Sequence, residues 1–85
     1  MATNSAPASR WMSDLPSVRP REVERVLLAR GWVQVRSCGS HRIYKHPEHR
    51  QLVTVAWHPG DVPGGTLRKI LKDAGIAPTD FAAEV

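Results

Sequence analysis

The chain has 85 residues, a net charge of +4 at neutral pH and a single cysteine. This length corresponds to one small domain, and one cysteine cannot form an intrachain disulfide, which excludes a disulfide-stapled secreted scaffold. The sequence contains neither an apolar run of about 20 residues nor a basic segment followed by an apolar one. We therefore expect no membrane span and no signal peptide, and a cytoplasmic location.

The charge is unevenly distributed along the chain. Residues 17–72 contain eleven Lys and Arg against four Asp and Glu, whereas residues 73–85 contain three acids and neither Lys nor Arg. A basic body favours a polyanionic partner, and nucleic acid is the commonest one. An Arg-rich surface that is simply solvated explains the same pattern about equally well.

The N-terminal stretch differs in composition from the remainder. Residues 1–16 are rich in Ala, Ser and Pro and show no periodicity, so we predict a disordered extension there. Regular patterning begins at Ser17, and we assign one domain to residues 17–85.

The first helix has clear start and stop signals. We predict that Ser17 caps it, that Pro20 occupies its first turn and that Gly31 ends it. Its buried face is predicted from three apolar residues at helical spacing: Val23, Val26 and Leu27.

Three strand patterns follow, at residues 32–36, 41–45 and 51–57. The first link is a turn at residues 38–40 and the second is a loop at residues 47–50. Links this short favour an antiparallel meander. In the second strand, alternation places His41, Ile43 and Lys45 on one side and Arg42 and Tyr44 on the other.

The second main helix is predicted to start at a Thr66 cap and to end at Gly75, with Ile76 contacting it after the stop. Thr79 is predicted to cap a last short helix, through which Phe81 docks onto the body. The predicted order is α-β-β-β-α with a short C-terminal helix. We therefore expect an α+β two-layer sandwich, with helices covering one face of the sheet.

The start of the second helix is the first candidate site. Gly64-Gly65-Thr66 is predicted to expose backbone N–H groups at a positive helix end, with Arg68 and Lys69 one turn further on. Such a helix start readily binds phosphate. An ordinary capped helix explains the same residues.

Four histidines form the second candidate, but no carboxylate or thiolate lies at a spacing that completes a metal site. We therefore predict no metal and no cofactor. His46 and His49 flank a proline turn and are expected to be exposed loop residues. A Ser40–His41 nucleophile pair is disfavoured, because adjacent side chains of a strand point to opposite faces.

His41 remains as an acid–base candidate. It follows Gly39 and Ser40 at the start of a strand that also carries the cations Arg42 and Lys45, and we predict that these four neighbours contact the substrate. Histidine is the side chain whose ordinary pKa best allows it both to take and to give a proton near neutral pH. A histidine that only bonds to its own loop is the alternative.

A series of short motifs runs through the chain in a fixed order. They are Pro20-Arg21-Glu22-Val23, Gly31-Trp32, Gly39-Ser40-His41, a valine-rich strand ending at His58, and the run GTLRKILKDAGI from Gly65 to Ile76. Together they closely resemble the HicA family, the toxins of HicA/HicB toxin–antitoxin modules. The similarity covers about residues 15–81.

The resemblance implies a fold like the double-stranded-RNA-binding domain and a ribonuclease that cleaves mRNA without the ribosome. It also implies a HicB-like antitoxin that covers the catalytic face of a monomeric toxin. The family's catalytic histidine falls on His41, while Gly39 and Ser40 shape the turn beside it. Phosphates in the related fold lie at the second helix start, here Thr66, Arg68 and Lys69.

A metal-free mechanism is the hypothesis that follows. The RNA 2′-hydroxyl attacks, His41 acts as general base or general acid, and Arg42, Lys69 or helix N–H groups stabilise the phosphorane. A second proton-transfer group is needed, and Tyr44, His58 or a group of the RNA are the candidates. The alternatives are a non-catalytic RNA-binding module of the same fold and a protein whose basic face binds an acidic partner.

Overall fold

The computed structural model of the protein describes residues 15–85. Its elements, in chain order, are α1 (Pro20–Ala29), β1 (Val33–Cys38), β2 (His41–Lys45), β3 (Val53–Ala56), α2 (Gly64–Ala74) and α3 (Pro78–Glu84). This order confirms the predicted α+β fold and its short C-terminal helix. Residues 1–14, most of the predicted N-terminal extension, lie outside the described part of the chain.

α1 begins without the predicted serine cap. Its cap residue is Arg19, whose backbone N–H donates to Glu22 Oε1 at 2.9 Å, so the prediction for Ser17 was wrong. A glutamate that reaches back in this way satisfies a terminal N–H group without any capping hydroxyl. The first-turn Pro20 is confirmed, and the chain turns away at Gly31, whose φ of 96° favours glycine.

The sheet has the order β1-β2-β3, and both pairs are antiparallel. Its strand bounds differ from the predicted ones: Cys38 belongs to β1 rather than to the turn, and β3 is confined to Val53–Ala56. β1 also carries an irregularity between Gln34 and Arg36, where the register with β2 shifts by one residue. The strands could be predicted from the strand propensity of their residues. The bulge in β1 and the ends of the strands depend instead on hydrogen bonding between strands.

α2 begins earlier than predicted. Pro63 is its cap residue and Gly64 its first helical residue, so Thr66 lies inside the first turn and was wrongly predicted as the cap. The predicted end is confirmed, because Gly75 is left-handed with a φ of 70°. Ile76 is buried beyond it and donates its N–H to Leu71 O at 2.9 Å.

α3 packs its single buried residue, Phe81, into the core, as predicted. Thr79 is not its cap; Ala77 occupies that position, and Pro78 starts the helix. An ion pair between Arg30 and Glu84 also joins α3 to the end of α1.

The core lies between the helices and one face of the sheet. Its fully buried large side chains are Trp32, Tyr44, Phe81, Leu27, Leu67 and Leu71, with Val18, Val23, Val53 and Val55. All six residues of β1 are exposed, so the helices cover β2 and β3 only. None of the helices between residues 15 and 85 is long and apolar enough to span a bilayer.

Two loop histidines are half-buried, contrary to the prediction that they are exposed. The rings of His46 and His49 pack on Trp32, with centroids 5.2 and 4.9 Å away. His46 Nδ1 accepts from the Glu48 N–H at 3.0 Å, and its Nε2 lies 3.1 Å from the Arg30 carbonyl oxygen. The acceptor role of Nδ1 assigns the proton to Nε2, and the ring ties the β2–β3 loop to the end of α1.

Candidate active site

The two faces of β2 have different surroundings. Cross-strand partners point to the same side of a sheet, so pairing with β1 and β3 defines both faces. We call one the open face; it is formed by Val33, Arg36, Cys38, His41, Ile43, Lys45, Thr54 and Ala56. The covered face carries Arg42, Tyr44, Val53 and Val55 and lies against the helices.

His41 is exposed on the open face, at the first position of β2. Its cross-strand partners are Cys38 on β1 and Ala56 on β3. An imidazole in this position is accessible to a large substrate, while the backbone that carries it is held from both sides. One further hydrogen bond, from Trp57 N–H to Ser40 O at 2.7 Å, holds the chain just after β3 to the residue that precedes His41.

Arg42 lies on the face opposite His41. Its guanidinium carbon is 3.7 Å from the centroid of the Trp57 ring, and its Nη1 is 3.4 Å from Glu24 Oε2. Stacking and ion pairing of this kind suit the planar guanidinium. Arg42 therefore connects β2 and the end of β3 to α1. Because it lies on the opposite face of the strand, its charge is not beside the His41 ring.

Tyr44, one candidate for the second proton-transfer group, is also on the covered face. It is fully buried, and its hydroxyl donates to Glu24 Oε2 at 2.5 Å. Burial of the phenol, together with this hydrogen bond, raises the pKa of Tyr44 well above its ordinary value. The indole N–H of Trp57 and the charge of Arg42 act in the opposite direction but more weakly. A buried phenol with a raised pKa is unsuited to proton transfer with a substrate on the open face.

The raised pKa of Tyr44 predicts a loss of stability at alkaline pH. The folded state favours the neutral phenol, so this contribution is complete below pH about 10, where an unfolded tyrosine titrates, and is lost as the pH rises above it. Unfolding should therefore become easier from pH about 10 upwards, and the absorbance of phenolate should appear together with unfolding. Tyr44 is the only tyrosine, which makes the signal specific.

Tyr44→Phe is the control for this alkaline effect, because it keeps the ring and removes the titrating group. The difference in unfolding free energy between wild type and Tyr44→Phe should shrink as the pH rises above about 10. A constant difference across that range would contradict the coupling.

The turn before His41 depends on a glycine. Gly39 has a φ of 60°, in the left-handed region, and with Ser40 it forms the two-residue connection between β1 and β2. Connections this short need positive φ values for the turn to match the twist of the strands. Gly39 and Ser40 thus place His41 at the strand start, as the sequence predicts.

Gly39→Ala should lower the free energy of unfolding by about 1–2 kcal/mol, because an alanine in left-handed backbone is strained. A Cβ at Gly39 would meet no atom within 4 Å, so backbone strain is the sole expected cost. Gly64→Ala is the matched control: it also meets nothing within 4 Å and has no positive φ. Thermal unfolding of both variants checks this, and equal effects would contradict the assigned cause.

A cavity of about 290 Å³ lies at the end of β3, beside the starts of α1 and α2. Ala56, the β3 partner of His41, lines it together with His58 and with Thr66 from the first turn of α2. A larger cavity of about 630 Å³, next to the start of α1, is lined by His58 as well. His41, His58 and the α2 start are thus gathered at one end of the molecule.

Comparison with known families decides the relationship. Residues 20–76, about two thirds of the chain, match the sequence model of the family described as "HicA toxin of bacterial toxin-antitoxin". This chain is a member of the HicA toxin family. A search of curated proteins found no match.

The matched range includes every candidate residue of the toxin and ends at Ile76, before α3. The toxin carries Gly39, Ser40 and His41 together at the β1–β2 turn, so the predicted Gly-Ser-His motif forms one local structure. Thr66 shares a cavity with His58, which sequence spacing did not indicate.

The remaining predicted binding residues of the toxin lie further away. Arg68 and Lys69 line a separate groove with Gln51 and Lys72, towards the middle of α2. Lys69 also pairs with Asp73 at 3.1 Å. Lys45 is on the open face like His41, but it is four residues along β2, which corresponds to roughly 13 Å. The structure therefore separates these cations from the immediate surroundings of His41.

One important residue was missed from the sequence. Glu24 of α1 accepts a hydrogen bond from Tyr44 and pairs with Arg42, and the sequence patterns predicted neither contact. The available signal was its position next to Val23, on the edge of the apolar stripe of α1. Within residues 15–85, no group of three His, Cys, Asp or Glu side chains is arranged to hold a metal ion.

Proposed function

We propose that this HicA toxin is a metal-independent endoribonuclease that cleaves mRNA without the ribosome and thereby halts translation and growth. The observation that carries the proposal is the exposed imidazole of His41, which lies in the Gly-Ser-His segment of a chain that belongs to this family. His41 is the β2 partner of Ala56, and Ala56 lines a cavity together with His58 and with Thr66 of the first turn of α2.

The substrate supplies its own nucleophile in this mechanism. The 2′-hydroxyl distinguishes RNA from DNA and lies beside the phosphodiester it attacks. His41 assists by transferring a proton, a contribution of typically ~10²–10⁴-fold in rate. The first three N–H groups of α2, from Gly64 to Thr66, have no partner within the helix and are suited to bind a phosphate oxygen.

Positive charge attracts RNA to the toxin. Residues 17–72 carry a balance of +7, and Arg68 and Lys69 lie on the exposed side of α2 beyond its first turn. Lys45 extends the positive charge along the open face of the sheet. We assign these three cations to contacts with the phosphate backbone away from the cleaved bond, which position an RNA without reading its bases.

A HicB-type antitoxin neutralises the toxin in this proposal by covering the open face. Among the described residues, no helix packs on that face, and Val33 and Val35 of β1 are 57 and 53 % exposed. An exposed apolar strand beside a catalytic residue suits a protein partner. Acidic residues on that partner would complement the basic body and accelerate association.

Incubation of the purified toxin with a labelled mRNA fragment, with and without EDTA, tests the activity. Cleavage that survives EDTA is the expected result. A mobility shift without cleavage would favour the non-catalytic RNA-binding module instead, and failure to bind RNA would contradict both. Addition of the protein encoded next to the toxin gene should stop cleavage at equimolar amounts if it is the antitoxin.

A further inference from the structure

We propose that His58 is the second proton-transfer group of the site, acting as the general acid opposite His41. This inference rests on the proposed ribonuclease function. Three observations carry it: the register of β2 and β3, the cavity that His58 shares with the α2 start, and the position of Tyr44 on the opposite face.

The register brings the two histidines within reach of one phosphodiester. His41 is paired with Ala56, and His58 is two residues further along the chain. The ladder continues past that pair through the bond from Trp57 N–H to Ser40 O at 2.7 Å. His58 lies just beyond the end of β3 at Ala56. Diagonal neighbours across an antiparallel pair have Cα atoms about 7–8 Å apart, and a similar separation of the two histidines would leave room for a phosphate between their rings.

The surroundings of His58 suit a proton donor. It is exposed and lines both cavities at this end of the toxin, with Thr66 in the smaller one. Asp61 lines both cavities too. A phosphate bound at the first turn of α2 therefore has the ring of His58 beside it.

The position of Tyr44 does not suit the role of second proton-transfer group. Tyr44 is fully buried on the covered face, and its hydroxyl is bonded to Glu24. His46 and His49 pack on Trp32 in the β2–β3 loop, which begins at the opposite end of β2 from His41. Among the histidines, which all lie in the described residues, His58 is thus the one at the same end as His41.

The step balances with two histidines. Neutral His41 takes the proton of the 2′-hydroxyl, and the 2′ oxygen forms a bond to phosphorus. The bond from phosphorus to the 5′ oxygen breaks, and protonated His58 gives its proton to that leaving oxygen. The products are a 2′,3′-cyclic phosphate and a free 5′-hydroxyl, with His41 protonated and His58 neutral until exchange with solvent restores them.

An RNA with a sulfur atom in place of the leaving 5′ oxygen tests the assignment. The wild-type cut site in a short RNA is mapped first, and the sulfur is then introduced at that bond. A thiolate leaves without a proton, so the general acid becomes dispensable for this substrate alone. His58→Gln should cut the normal RNA about 10²–10⁴-fold more slowly and should recover most of that loss on the sulfur-containing RNA.

His41→Gln is the matched comparison and should remain slow on both substrates, since the nucleophile still needs its base. Glu48→Gln, in the loop after β2, should cut both at the wild-type rate. His58→Asn is a second variant at the same position, and thermal unfolding verifies that each variant is folded.

Two results would overturn the assignment of His58. One is cleavage of the normal RNA by His58→Gln at the wild-type rate; the other is an equal loss on both substrates. A wild-type protein that cuts neither RNA would contradict the proposed function itself, which separates that failure from an error about His58.

Discussion

Replacing His41 with alanine is expected to abolish RNA cleavage and growth arrest while leaving the protein folded. Loss of a general acid or base lowers a rate by typically ~10²–10⁴-fold. The side chain is exposed on the open face, so the unfolding temperature should change little. The measurements are cleavage of a labelled RNA, growth after induction, and thermal unfolding of the purified variant.

Cys38→Ser provides the control for this experiment. Cys38 is exposed and is the direct β1 partner of His41, so its substitution changes the neighbouring side chain without removing the imidazole. We expect the Cys38→Ser variant to cleave RNA at nearly the wild-type rate. A folded His41→Ala protein that still cut RNA and arrested growth would show that the proton-transfer groups lie elsewhere.

Phe81→Ala is expected to lower the free energy of unfolding by about 3–5 kcal/mol, a typical loss for a large aromatic residue removed from a core. Phe81 is fully buried and is the only buried residue of α3. A seven-residue helix is not stable by itself, so α3 depends on this contact to remain docked. Chemical denaturation of the purified protein measures the effect.

Ala83→Ser is the matched control for Phe81→Ala, since it changes an exposed residue of the same helix. Its effect should stay within about 0.5 kcal/mol. The Arg30–Glu84 ion pair is partly exposed and adds little to docking. If Phe81→Ala unfolded at the wild-type denaturant concentration, the docked position of α3 would be wrong.

The helices could be predicted from the sequence because their apolar residues recur at helical spacing. The residues at which the helices begin could not be predicted in this way. The caps were assigned to Ser17 and Thr66 from side-chain chemistry, but α1 is capped through Glu22, and α2 begins at Gly64. Glycine disfavours a helix interior, and its cost is much smaller in the first turn, where a preceding Pro63 sets the backbone direction.

The positions of the candidate residues could be predicted in part. His41 and its turn follow from local sequence, because a glycine and a strand start are local features. The role of Arg42 did not follow, since adjacency in sequence places neighbouring strand residues on opposite faces. Its contacts with Trp57 and Glu24 arise from packing between distant segments. The pairing of His41 with Ala56, two residues before His58, likewise depends on the β2–β3 register, which no local pattern specifies.

If His41 is the catalytic residue, as proposed, the alternation of side chains along β2 places activity on one face of the strand and stability on the other. Odd-numbered positions such as His41 face outwards, whereas Arg42 and Tyr44 bond to α1 through Glu24. Inactivating substitutions can therefore accumulate on one side of the strand without loosening the other. A toxin inactivated in this way would keep its shape, and in a cell it would still occupy antitoxin molecules, which would leave more of an active copy free.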